Sequence, residues 1–333
     1  MRNDDLCHGN TTILSKLLHE FDLVEETDHI EYKTFISKIL LSPQSSNLTQ
    51  LYDTHCKNIG LSISSSPLTT KELELFSKLQ RRLDTLAKEA SMTSVKLLID
   101  AEHTKYQPAI DHITLDLQRV YNNKSKTDTP IIFNTYQCYL KDARSRIELD
   151  LQHSLMYKYH FGAKLVRGAY MAHENDRARS MNVEPPIFST IEETHDCYND
   201  IVEYLLKKKV ESLMNDSDDF QSLEIMCATH NQESIIKALT LMERLNIMSK
   251  DESSLSSSLS SSIHFAQLLG MSDNLTYPLG KRMYSVYKYV PYGKIDEVMP
   301  YLIRRAQENN DVLGNAMNEI SLLLTEVRRR IFD

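Results

Sequence analysis

Long apolar runs are missing from this 333-residue chain: stretches such as Leu97–Ile99 and Leu322–Leu324 end after a few residues. A bilayer-crossing helix needs about 20, so none is expected. Positive charge is in deficit, with 38 Lys and Arg against 46 Asp and Glu, a net charge of −8. That argues against general nucleic-acid binding, which needs a basic face. The basic cluster Arg328–Arg329–Arg330 reads either as charge complementing a helix C-terminus or as a membrane or partner contact. The five cysteines, Cys7, Cys56, Cys138, Cys197 and Cys227, contain no CxxC pair. Reduced thiols are therefore expected, not a disulfide framework or a thiolate zinc site. The eight glycines form neither G-x-G-x-x-G nor G-x-x-x-x-G-K-[ST], which removes the usual nucleotide loops. G-x-S-x-G is absent too, and no cysteine has an evident base partner, so a nucleophile is not evident. Asp100, Glu102, His103 and His230 leave a metal conceivable, but H-E-x-x-H and a strand-borne His-x-His are lacking. The acidic start, Met1–Asp5, resembles neither a secretory signal nor an Arg-rich transit peptide. It implies a cytosolic protein or a targeting region not included in the sequence.

What is present is a regular alternation. Residues 1–67 form a poorly defined N-terminal region ending in Ser64–Ser65–Ser66–Pro67, and Ser253–Ser262 reads as a flexible surface insertion. From Leu68 a capping box, Thr69 with Glu72, opens a helix with Leu73, Phe76, Leu79, Leu83, Leu86 and Ala90 at helical spacing. Apolar runs then recur at Val95–Ile99, Pro130–Phe133, Gly162–Val166, Leu223–Met226, Ile263–Phe265 and Val286–Tyr289. Between them lie helical patterns. One carries Ile110, Ile113, Leu117 and Val120; a second carries Ile147, Leu151 and Leu155; a third follows a second capping box, Ser189 with Glu192; a fourth is N-capped by Asn231. Short strands alternating with helices imply parallel βα units. Both a doubly wound sheet and a closed barrel satisfy that pattern.

Each apolar run ends in polar residues: Asp100 and Glu102; Gln137; Arg167 and Tyr170; Thr229, His230 and Asn231; Gln267; Tyr289. In a barrel these converge on the C-terminal rim, where such enzymes place their chemistry. Amide, hydroxyl and cationic donors suit an anionic, heteroaromatic cofactor carrying phosphates. The last helix, about Asp296 to Asn309, sets Tyr301, Arg304, Arg305 and Glu308 near one face. Its two guanidinium groups read either as surface ion pairing or as a planar clamp for a carboxylate.

At these motifs the chain resembles the proline dehydrogenase family, and particularly its eukaryotic mitochondrial branch. The matching stretches are Leu98-Ile-Asp-Ala-Glu102, Phe133-Asn-Thr-Tyr-Gln-Cys-Tyr-Leu-Lys-Asp-Ala143, Gly162-Ala-Lys-Leu-Val-Arg-Gly-Ala-Tyr170, Ala228-Thr-His-Asn231, Phe265-Ala-Gln-Leu-Leu-Gly-Met271, Val286-Tyr-Lys-Tyr-Val-Pro-Tyr-Gly293 and Tyr301-Leu-Ile-Arg-Arg-Ala-Gln-Glu-Asn309. The resemblance implies a distorted (βα)8 barrel over residues 68–310, followed by a helical tail at 311–333. It implies FAD, oxidation of L-proline to Δ1-pyrroline-5-carboxylate, and a membrane quinone as electron acceptor in the mitochondrion. By resemblance Arg304 and Arg305 grip the proline carboxylate, while Leu269, Tyr289 and Tyr301 line the ring pocket. Asp100 supports the site beneath the flavin, and Lys164 lies near its N5. Gln137, Val166, Gly168, Ala169, Tyr170, Thr229, His230, Asn231, Gln267, Arg305 and Glu308 match flavin-contacting positions.

Two departures shape the expectations. The family barrel has eight strands, and six are legible here. The stretch in which the second family strand ends on a substrate-binding lysine has no counterpart in this sequence. The chain therefore reads as an N-terminally incomplete form, with weak or absent turnover expected. Oxidation of hydroxyproline and a catalytically inactive flavin-binding scaffold are the alternatives. The hydroxyproline-oxidising branch typically carries a small residue where this chain has Tyr289.

Overall fold

The computed structural model describes residues 70–214, 223–245, 262–308, 321 and 324–332. The reading of residues 1–67, the capping box at Thr69 and most of the Ser253–Ser262 stretch lie outside the described residues.

Helices and strands alternate: α1 (Thr70–Thr93), β1 (Leu97–Ile99), α2 (Gln107–Tyr121), β2 (Ile132–Gln137), α3 (Ala143–Met156) and β3 (Gly162–Val166). They continue with α4 (Met171–Met181), α5 (Ile191–Met214), β4 (Glu224–Ala228), α6 (Gln232–Arg244), β5 (Ile263–Leu268), α7 (Asp273–Lys281), β6 (Ser285–Tyr289) and α8 (Ile295–Glu308). The six strands hydrogen-bond in chain order, β1 to β6. β1 with β2, β2 with β3, and β5 with β6 are parallel. A doubly wound sheet reverses its strand order at a switch point. This sheet does not reverse, which leaves the barrel class. The chain divides into two compact units, Met1–Ile225 and Met226–Asp333.

Within the first unit, β2 is buried along its whole length. Against its start pack Ala87 and Ala90 of α1, with Leu97, Ile99, Leu117 and Tyr121 alongside. Leu86, expected on the buried face, is 56% exposed. The small side chains at 87 and 90 let the helix backbone approach the sheet, so the larger Leu86 turns outward.

The larger correction concerns α2. Its expected apolar stripe is not its most buried face: Val120 is 44% exposed, while Asp111, Thr114, Gln118 and the C-cap Asn122 are fully buried. The cause is backbone satisfaction, since buried carbonyl and amide groups need partners. Asn122 donates to the carbonyls of Ile132 and His160 at 2.8 and 3.0 Å and accepts from the amides of Ile131 and Ile132 at 2.8 Å each. Gln118 donates to the carbonyls of Ile132 and Gly162 at 3.2 and 3.0 Å. These side chains pin the entries to β2 and β3.

Between α2, β2 and α3 lies a buried ionic cluster. Asp111 accepts from Gln107 at 2.8 Å and Asn134 at 3.0 Å, and it also pairs with Arg146. Nearby, Tyr136 donates to Asp150 at 2.8 Å. Burial, with the charge of Asp111 adding to it, pushes the Asp150 carboxyl up to about 7. Between pH 4 and 7 the folded chain therefore holds a proton that the unfolded chain has lost, so this group's penalty grows as pH rises and is complete above 7. Asp150→Asn removes that term. The melting temperature of the variant relative to the parent is expected to be higher at pH 8 than at pH 5. Paired thermal melts at the two pH values check it, and a difference independent of pH would contradict it.

Asn231 caps α6 as expected, accepting from the Ser234 amide at 2.8 Å. The second capping box sits one residue later than Ser189 with Glu192. The amide of Glu193 donates to Thr190 Oγ1 at 3.2 Å, and the amide of Thr190 donates to the Glu193 carboxylate at 3.0 Å. Two helices were not anticipated, α4 and α7. The latter contains Pro278 and a glycine, Gly280, both of which read as breakers.

Candidate active site

In the first unit polar residues of β2 and β3 meet the segment that follows β1. In the parallel register Thr135 of β2 faces Lys164 of β3, and Lys164 reaches Asp100 beyond β1, with Nζ 2.5 Å from Oδ1. Lys164 is mostly covered and Asp100 mostly exposed, 15% and 63% by side chain. The pair is thus rooted in the protein and open on one side. Thr135 Oγ1 donates to the Ile99 carbonyl at 2.6 Å. The buried amide of Gln137 donates to the Glu102 carbonyl at 2.8 Å. Glu102 is held from its other side as well, its N–H donating to Gln107 at 2.8 Å. The β1–α2 loop is therefore tied to the ionic cluster behind it.

β3 ends at Val166 and runs into Gly168, whose φ is +138° and at which a Cβ would stand 2.4 Å from the Tyr139 ring. Only glycine fits that turn. The neighbouring Tyr170 lies against His103, ring centroids 4.0 Å apart. The sequence reading missed the group that anchors this contact. Glu174, one turn beyond Tyr170, accepts from the Thr104 amide at 2.7 Å and from its hydroxyl at 2.5 Å. Burial pushes the Glu174 carboxyl upward, but the hydrogen bonds from His103 and Thr104 outweigh it and hold the group below its ordinary range. Among the described residues no group of three or more His, Cys, Asp or Glu is placed to hold a metal.

In the second unit Thr229, His230 and Asn231 follow β4, Leu269 follows β5, and Gln267 and Tyr289 lie in the last residues of β5 and β6. Asn231 N–H donates to Thr229 Oγ1 at 3.0 Å. Gln267 is buried, with its amide 3.4 Å from the Thr229 carbonyl and its oxygen accepting from Thr276 at 2.9 Å. Both ring nitrogens of His230 are engaged: Nε2 accepts from the Leu268 amide at 3.3 Å and Nδ1 lies 2.8 Å from Ser272 Oγ. That fixes the Nδ1–H tautomer. Burial, and secondarily the Lys288 charge, holds its pKa below the ordinary value. Neither ring nitrogen is left vacant. Tyr289 and Tyr301 stack at 5.8 Å between centroids, tilted by 34°. α8 carries Arg304, Arg305 and Glu308, whose side chains lie outside the described residues.

The proline dehydrogenase family profile matches residues 13–317. The chain belongs to the proline dehydrogenase family. It is 42% identical over 266 residues to proline dehydrogenase 1, mitochondrial, of Drosophila melanogaster, covering 80% of this chain and 37% of that protein. The human protein of the same name is 38% identical over 312 residues, covering 93% of this chain and 46% of that protein. A hydroxyproline dehydrogenase of Xenopus laevis is 40% identical over 253 residues, covering 76% and 50%. The chain thus spans half or less of the length of these relatives. Among solved structures, proline utilization A of Bdellovibrio bacteriovorus inactivated by N-propargylglycine superposes with a TM-score of 0.58 at 17% identity, covering 83% of this chain and 28% of that one. At that identity the likeness speaks for fold. The fold is of the (βα) barrel class, with six parallel strands among the described residues of this proline dehydrogenase family member.

Proposed function

We propose that this chain binds FAD non-covalently and oxidises L-proline to Δ1-pyrroline-5-carboxylate, with a membrane quinone as electron acceptor. The observation that carries the reading is the Lys164–Asp100 pair, 2.5 Å apart, which joins the middle of β3 to the residue after β1. A covered ammonium held in place by a carboxylate supplies positive charge where an accepting ring gains electrons. The donor chemistry of each unit suits such a cofactor: an ammonium, the buried amide of Gln137 and the Gly168 turn in the first, and the buried amide of Gln267 in the second. FAD, when bound, supplies the hydride acceptor. The chain's own part is placement. Arg304 and Arg305 on α8 hold the substrate carboxylate in this reading, and the stacked pair Tyr289–Tyr301, with Leu269, walls the pyrrolidine ring. Fixing the carboxylate fixes the ring carbon that loses hydride. The mitochondrial names of relatives support a mitochondrial location, and the matrix side of the inner membrane is part of this proposal. Among the described residues no helix is long and apolar enough to cross a membrane.

The test is direct. The purified chain, supplied with FAD, is mixed with proline or hydroxyproline and an artificial electron-accepting dye. Proline-dependent dye reduction supports the proposal. A yellow protein that reduces no dye with either substrate supports the inactive scaffold instead.

Hydroxyproline is the second substrate to weigh, because the Xenopus relative carries that name. Tyr289 stands against it, since its phenol, stacked on Tyr301, occupies space beside the ring. Tyr289→Ser is expected to raise the hydroxyproline-to-proline ratio of kcat/KM by about tenfold or more, in line with differences in pocket fit of about 1–3 kcal/mol. An unchanged ratio would remove Tyr289 from the specificity argument.

A further inference from the structure

The turn between β5 and α7 carries Leu269 and has little packing of its own. Leu269 is 58% exposed. Two residues of the turn have left-handed backbones, Gly270 at φ +78° and Ser272 at φ +54°. The serine conformation is unfavourable for a residue with a Cβ. The turn is held by polar ties reaching in from other elements. Lys288 of β6 donates to the Met271 carbonyl at 2.6 Å, lies 3.4 Å from the Leu268 carbonyl, and pairs with Asp273 at 2.8 Å. His230 takes the Leu268 amide and Ser272 Oγ from the other side. The Leu269 amide then donates to the Tyr289 carbonyl at 3.0 Å, joining the turn to the residue next to Lys288.

We propose that Lys288 is a positioning residue for substrate: by clamping the Leu268–Asp273 turn, it sets Leu269 against Tyr289 and so shapes the ring side of the pocket. The lysine does not touch the reacting atoms. Its ammonium is largely covered, 19% exposed by side chain. It donates to the Met271 main-chain carbonyl, and a charged donor makes bonds of about twice the ordinary strength. Methionine has the length to replace the stem and none of the donors. Lys288→Met therefore releases the turn while keeping β6 intact.

This inference rests on the proposed proline oxidation, and two readouts separate the two. The first is hydrogen–deuterium exchange on the full chain with FAD. Lys288→Met is expected to speed exchange of the Leu269 and Met271 amides at least tenfold, with amides of β5 unchanged. The second is kinetic. KM for proline is expected to rise about 10- to 100-fold, kcat to stay within about threefold, and Lys288→Arg to restore most of the loss. Asp273→Asn, which spares the bonds to the carbonyls, is expected to change KM less than threefold. Faster exchange with unaltered KM would overturn the substrate role, and unaltered exchange would overturn the clamp itself. If the parent chain oxidises neither substrate, the proposed function fails, and the exchange readout still decides whether Lys288 holds the turn.

Discussion

Lys164→Met is expected to lower kcat/KM for proline by about 10²–10³, the scale for deleting one preorganised electrostatic donor in a covered site. The lysine's position explains the size of the effect. Its Nζ is held by Asp100 across β2, so the charge is in place before substrate arrives. Little reorganisation is then needed as negative charge develops. Lys164→Arg keeps a cation and is expected to retain most of the activity. Asp100→Asn keeps the geometry but weakens the hold, so its loss should be smaller than that of Lys164→Met. Stopped-flow measurement of the reductive half-reaction checks the series, with flavin content measured alongside. A Lys164→Met variant within a few-fold of the parent would sink the assigned role.

Arg146→Met is expected to destabilise the fold by about 3–5 kcal/mol, because it strands the buried Asp111 carboxylate without its countercharge. The donors from Gln107 and Asn134 remain, but neither carries charge. Arg146 also draws the Asp150 pKa down against burial, so its removal drives Asp150 toward the neutral acid. Removing both partners in Asp111→Leu/Arg146→Met should recover a substantial part of the loss, since well-packed apolar replacements of buried pairs are often neutral or better. Urea denaturation of the two single variants and the double variant gives the coupling. The site should feel the same change: Gln107 joins Asp111 to the Glu102 amide, so loosening the cluster loosens the loop that follows Asp100.

The strand positions were legible because short apolar runs closed by polar residues leave a plain trace. Gly162–Val166 was read to the residue, and the other strands were read to within a few. The face of α2 was not legible. Ile113, Leu117 and Val120 keep helical spacing, yet Asp111, Thr114, Gln118 and Asn122 take the most buried positions, because the main chain at the entries to β2 and β3 needs donors and acceptors. Apolar periodicity does not register that demand. Lys164, Asp100, Tyr289 and Tyr301 are candidate site residues from the sequence, and the structure pairs them as Lys164–Asp100 and Tyr289–Tyr301. Glu174 and Lys288 were missed as anchors. Each works through backbone amides, hydroxyls or carbonyls on distant segments, and such partners leave no spacing signature. The αL serine at 272 was equally invisible, since its side-chain partner, His230, lies 42 residues away in the chain.

The strictly sequential order of the sheet bears on how the chain is made. Leu97 lies opposite Ile132, Asn134 opposite Ala163, and His264 opposite Ser285. In each of these pairs the earlier strand has already left the ribosome when the later one appears. At synthesis rates of about 5–20 residues per second, a βα unit has seconds to settle before its successor arrives, far longer than local collapse requires. A sheet that reversed its order would leave strands waiting beside an unfilled gap. Here the nascent chain can lay down its strands one at a time, each on the last.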